Sequence, residues 1–153
     1  MSIESVPYPT REISDNIPLF LSDIGAVSLG GSEVLTNKTL TNPTINNYTE
    51  GVVDNGTSGI NGATKIIELT SGTFQTVTLT GNCTFTMPTP TAGKSFILKV
   101  MTGGGGFTAA FNGAKWSDNV APVITAAANR YDLLSFIADG TAWSGSAIQN
   151  FTL

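Results

Sequence analysis

The stretch Tyr131-Asp-Leu-Leu-Ser-Phe-Ile-Ala138, Asp139-Gly140, Thr141-Ala-Trp-Ser-Gly-Ser-Ala-Ile148 decides how the chain folds. Two short segments rich in aliphatic and aromatic residues flank an Asp-Gly pair. Such a pair favours a two-residue hairpin turn, because its backbone tolerates the positive φ angles the turn requires. Upstream, Ser95 to Met101 puts Phe96, Leu98 and Val100 on one face, the period of two of a half-buried strand. Thr64 to Thr70 and Phe74 to Thr80 are rich in Thr and β-branched residues, with Ser71-Gly72 as a turn between them. Gly81-Asn82 turns the chain into Cys83 to Met87, which Pro88 and Pro90 end. Phe107 to Phe111 reads as a short strand before the turn Asn112-Gly113, and Pro122 to Thr125 as extended. No helical period intervenes. Short strands at this spacing predict an all-β fold, a β-sandwich or jelly-roll-like domain over residues 63–153. Residues 50–63, punctuated by Gly51, Asp54-Asn55-Gly56, Gly59 and Gly62, read as a loop or tight hairpin at its boundary.

Before that boundary lie three copies of a five-residue unit, Leu35-Thr-Asn-Lys-Thr39, Leu40-Thr-Asn-Pro-Thr44 and Ile45-Asn-Asn-Tyr-Thr49. A period of five suits neither a strand nor a helix of 3.6 residues per turn. In an extended chain of about three residues per turn, five residues advance the side chain by about a third of a turn beyond whole turns. Leu35, Leu40 and Ile45 would then point in three directions, which one chain cannot bury and three chains can. These residues are therefore the expected contacts of a homotrimer.

The segment "VLTNKTLTNPTIN" (Val34 to Asn46) resembles a linker common in bacteriophage fibre and virion-surface proteins. The pieces "FTMPTPTAGKSFILKV" (Phe85 to Val100), "AKWSDNVAPVIT" (Ala114 to Thr125) and "NRYDLLSFIADGTAWSG" (Asn129 to Gly145) are similar to a β module often found at the ends of such proteins. The resemblance implies a structural protein on the virion surface, made in the bacterial host cytoplasm. Residues 1–33 match no pattern of the family.

Residues 1–14, with Pro7 and Pro9, read as extended. Asp15 to Gly25 then reads as one short helix: Asp15 and Asn16 precede Pro18 in the first turn, and Gly25 closes it. Ile17, Leu19, Phe20, Leu21 and Ile24 make it apolar almost all round. Such a helix either packs on its own β domain or docks into another protein. The polar repeat that separates it from the domain favours docking through Ile17, Leu19, Phe20 and Ile24. The expected organisation is an extended anchoring arm over residues 1–34, a linker over 35–62 and a β domain over 63–153.

Composition narrows the function. Only 12% of the residues are charged, against a usual quarter. Residues 1–56 hold seven carboxylates and two cations, a net charge of −5, and the remainder is +1. An acidic arm argues against nucleic acid or an anionic membrane as partner, since both need clustered Lys or Arg. The N-terminus lacks a basic region followed by an apolar run, and no apolar run approaches the length of a membrane span. Cys83 stands alone, which leaves no internal disulfide and marks it as a small hydrophobe in a strand.

Candidate chemistry fails at each check, so no catalytic residue, cofactor or metal is expected. Ala92-Gly93-Lys94-Ser95 mimics the end of a phosphate-binding loop, but the first glycine of that motif falls at Pro88 and a strand follows where a helix is required. Gly103 to Gly106 reads as a flexible hairpin tip. The chain has no histidine, the usual general base and metal ligand. The β domain holds only Glu68, Asp118, Asp132 and Asp139 as carboxylates. Trp116, Tyr131 and Trp143 could stack on a sugar, although core or interface packing is the commoner role of such residues. Three functions follow: a non-enzymatic trimeric appendage anchored on another virion protein, as a capsid decoration or short tail fibre; a tip that binds a host receptor or glycan; and a polysaccharide depolymerase. Length and missing catalytic groups disfavour the last.

Overall fold

The structure is a computed structural model that describes residues 39–58 and 63–153. It forms two units, one ending at Ile45 and the other spanning Asn46–Leu153. In the first, Asn42 adopts φ 49°, and Asn47, at the start of the second, adopts φ 53°. Both occupy the third position of the five-residue unit. Over its described residues the repeat is therefore not a continuous polyproline helix, which needs φ near −75° at every residue. Instead, a left-handed asparagine bends the chain in each of the two units whose third position is described, a conformation that Asn tolerates better than most side chains. Leu40 and Ile45 are 55% and 60% exposed.

Among the described residues, the second unit is all strand apart from loops and one 3-10 turn at Ser117–Asn119. Three coils alternate between two sheets. β1 (Val52–Ser58), β3 (Phe74–Leu79) and β5 (Ser95–Thr102) lie side by side and parallel in one sheet. β2 (Thr64–Ile66), β4 (Cys83–Thr86) and β6 (Ala109–Asn112) lie side by side and parallel in the other. Val52 pairs with Phe74, and Phe74 with Ile97, so each coil is 22 to 23 residues long. After β6 the chain returns to the first sheet as β7 (Ala114–Lys115). It then closes with the antiparallel hairpin of β8 (Arg130–Ala138) and β9 (Trp143–Thr152). The completed six-stranded sheet has the order β1-β3-β5-β8-β9-β7, with β8 antiparallel to β5 and β7 parallel to β9.

This pairing corrects the jelly-roll expectation, since jelly rolls are built from antiparallel Greek keys. The turns at Ser71-Gly72, Gly81-Asn82 and Gly103 to Gly106 are corners that carry the chain from one sheet to the other, not hairpin tips. Residues 52–58, expected to be loop, form β1. Their turn-like Asp54-Asn55-Gly56 is a β-bulge, with one extra residue in β1 between the Asp54 and Thr57 pairings and Gly56 at φ 63°. The domain thus begins before residue 63.

One core lies between the sheets. Alternation delivers Val77 and Leu79 from β3, Phe96, Leu98 and Val100 from β5, and Leu134 and Phe136 from β8. The small sheet contributes Cys83, Phe85 and Phe111. Phe85 stacks on Phe111 at 5.4 Å between ring centroids, and Phe96 on Phe136 at 4.7 Å. Offset stacks of this kind add to the area they bury. Gly145 in β9 is required by packing: a Cβ there would come within 2.6 Å of the Trp116 ring.

Candidate functional site

The three candidate sugar-stacking residues do not form a platform. Trp143 opens β9 opposite Ala138 and is 1% exposed. Its indole Nε1–H donates to the Pro88 carbonyl at 2.7 Å, and its ring meets Phe96 edge-on at 5.1 Å. No ring face remains for a sugar, so Trp143 is corrected to a core residue. Trp116 is half-buried against Phe111 and Phe136, at 5.3 and 5.5 Å. Tyr131 lies near the opposite end of β8, about 20 Å along the strand from the Trp143 pairing at ~3.3 Å per residue. There it stacks on Phe151 at 5.0 Å, with Lys99 Nζ 4.2 Å from its ring centroid. Ile17, Leu19, Phe20, Ile24 and Leu35 lie outside the described residues.

Two buried polar groups to which the sequence reading gave no role organise the loops. Asp132 is fully buried on the inner side of β8. Its Oδ2 accepts from the Thr125 amide at 2.7 Å and from Gln149 Nε2 at 3.2 Å, and its Oδ1 accepts from the Asn150 amide at 2.8 Å. These bonds hold the extended 122–125 segment and a bulge in β9, where Asn150 takes φ 68°. Charge-assisted bonds of this kind offset the cost of burying a carboxylate. All its hydrogen-bond partners are neutral N–H donors, so Asp132 is arranged as a structural clasp. Gln75, also fully buried, donates from Nε2 to the Glu68 and Gly72 carbonyls and accepts from Asn55 Nδ2 at 2.9 Å. It ties the bulge of β1 to the corner between β2 and β3.

Asp139 closes the β8–β9 turn differently from the expected two-residue link. Its backbone N–H donates to the Ala142 carbonyl, while its Oδ1 accepts from the Thr141 hydroxyl and from the amides of Thr141 and Ala142 at 2.7 to 2.8 Å. The Thr141 hydroxyl, then these amides, lower its pKa from 3.8 to about 2. Cys83 faces the core at 3% exposure, and burial pushes its thiol pKa up. Among the described residues no group of three His, Cys, Asp or Glu side chains could hold a metal ion.

The surface that stands apart is the outer face of the six-stranded sheet. Ile97 and Ile137 are 39% and 59% exposed there, among Ser95, Ser135, Ser144 and Ser146. Glu50 accepts a hydrogen bond from the Thr73 hydroxyl at its rim, and these two side chains share a shallow depression with Ile97 and Ile137.

No family model, curated protein or solved structure matches the chain.

Proposed function

We propose that this chain is a non-enzymatic structural protein of a bacteriophage virion, a homotrimeric surface appendage such as a capsid decoration or short tail fibre. In this reading residues 1–34 anchor it to another virion protein, the repeat assembles around a three-fold axis, and the two-sheet, sandwich-like domain projects outward. The observation that carries the reading is the exposure of Leu40 and Ile45. The described residues leave both rungs of the ladder open, and two sister copies would cover them. The left-handed asparagines support it further, because a bend repeated every five residues gives each unit the same relation to the next. Likeness to phage linkers supplies the virion setting. The receptor- or glycan-binding alternative loses its aromatic platform, since Trp143 is core and Tyr131 stands far from Trp116.

Sedimentation equilibrium of the full chain tests the trimer, and a monomer at micromolar concentration refutes it. The anchor is tested separately by deleting residues 1–30. The truncated protein is expected to keep its β circular dichroism and to be lost from particles. Continued incorporation removes the anchor assignment.

A further inference from the structure

The six-stranded sheet carries large apolar side chains on both faces, yet the described residues cover only one. Alternation sends Phe96, Leu98 and Leu134 into the core. The intervening positions place Phe74, Ile97, Met101, Leu133, Ile137 and Ile148 on the outer side. Ile137 and Ile148 are 59% and 67% exposed. A sheet with one solvated face ordinarily carries polar residues there, whereas sheets buried on both faces are apolar throughout. The charged side chains on this face are Lys99, whose ammonium rests over the ring of Tyr131, and, at its edges, Glu50 and Asp54 on one side and Lys115 on the other. The remaining residues are mostly small Ser and Thr, which leave the surface flat.

We infer that this outer face packs against the same face of two further copies of the chain, so that three sheets enclose a common apolar core around the three-fold axis. The inference rests on the trimer reading above and assigns it a second contact surface. Charge points to a copy of the chain as the occupant. Glu50 and Asp54 balance Lys99 and Lys115, so the face carries no net charge and can meet a copy of itself without net like-charge repulsion. Size points the same way. Four strands ~4.8 Å apart, each contributing about seven residues at ~3.3 Å, cover on the order of 450 Å². A stable interface needs about 800 Å² per partner. The face is thus too small to hold a free partner, and suits a copy already tethered through another contact. Such a tether precedes it directly in the chain: the repeat runs into residues 46–51, and Glu50 of that segment is bonded to Thr73 at the rim of the face.

The test uses the full chain. Ile97→Asp with Ile137→Asp should raise the concentration at which the trimer half-dissociates by about 100-fold or more, with the β circular dichroism unchanged. Because that variant could misfold, a second measurement uses cysteine crosslinking with a short bis-maleimide. Ser135→Cys, at the centre of the outer face, should give covalent dimers, and Ala110→Cys, exposed on the small sheet, should not; buried Cys83 serves as the silent background. A trimer that forms without Ser135 crosslinks, or that the double Asp variant leaves unmoved, overturns the inference and leaves the trimer reading standing. A monomeric parent protein overturns both. Crosslinking of Ser135→Cys to a different virion protein on intact particles overturns it in favour of a foreign partner.

Discussion

Replacing Trp143 separates a core tryptophan from a sugar platform by magnitude. The side chain is 1% exposed, packs edge-on to Phe96 and bonds the Pro88 carbonyl at 2.7 Å. Trp143→Ala removes a large buried ring that its neighbours can refill only in part, which costs about 3–5 kcal/mol. The orphaned carbonyl adds about 1 kcal/mol, less than a full desolvation penalty because Pro88 is only half-buried. A total of about 4–6 kcal/mol is a large share of the 5–15 kcal/mol typical of a folded protein. Trp143→Phe keeps most of the packing and loses the hydrogen bond, so about 1–2 kcal/mol is expected. The chain has two tryptophans, so Trp116 remains as the only indole reporter in both variants. Urea unfolding followed by its fluorescence, at one fixed protein concentration, gives both values. A Trp143→Ala loss within the ~0.5 kcal/mol of an ordinary surface substitution would refute the core assignment.

Asp132→Asn should destabilise by about 2–3 kcal/mol, because at least one amide donor then faces another donor and the surviving bonds lose their charge; hydrogen exchange at the Thr125 and Asn150 amides should rise with it, and unchanged protection would contradict the clasp. The depressed pKa of Asp139 contributes stability that is fully present above the ordinary 3.8 and lost as pH falls through about 2. Asp139→Ala should therefore flatten the decline of thermal stability across that window, and a slope equal to the parent's would show that the turn bonds do not matter. Cys83 should resist a disulfide-exchange reagent at about pH 8 in the native protein and react fully in urea, since burial disfavours the thiolate. Rapid native labelling would place it outside the core.

Strand positions were legible wherever one face meets the core. Phe96, Leu98 and Val100 alternate with more exposed neighbours, and β5 follows within a residue of its expected end. Pairing direction was not legible, because Ser71-Gly72 or Gly81-Asn82 can turn a hairpin or round a corner with the same residues. The discriminating signal is of longer range: Val52, Phe74 and Ile97 recur at the coil length, a spacing of the kind that marks stacked repeats. β1 was hidden because Asp54-Asn55-Gly56 has the composition of a turn, and the bulge uses it without leaving the sheet. Tryptophan burial could not be read locally either. Trp143 and Trp116 sit in similar surroundings in sequence, yet only Trp143 finds a carbonyl from a loop 55 residues away. Asp132 likewise looks like any strand aspartate until Thr125, Gln149 and Asn150 converge on it. The asparagines of the repeat did carry a signal: Asn at every fifth position fits a left-handed bend better than a continuous extended helix.

The energetics of assembly tie the ladder to the sheet. Leu40 and Ile45 are a little more than half exposed, so covering each contributes on the order of 1–2 kcal/mol. Six such rungs in three chains amount to about 10 kcal/mol. Bringing two further chains to the first costs about 4–15 kcal/mol each in lost freedom, so these rungs alone come near break-even at best. The outer sheet face, at on the order of 450 Å² per copy with about half of it apolar, adds about 5 kcal/mol per chain at ~25 cal/mol per Å². By itself it fails for the same reason as the ladder. At the middle of that range, about 20 kcal/mol for the two chains, neither surface suffices alone, whereas the two together, about 25 kcal/mol, exceed it. Charging either one should therefore dissociate the trimer: Leu40→Asp with Ile45→Asp no less than Ile97→Asp with Ile137→Asp. A trimer that survives one pair and not the other would show that a single surface holds it, and sedimentation of the two variants side by side makes that comparison.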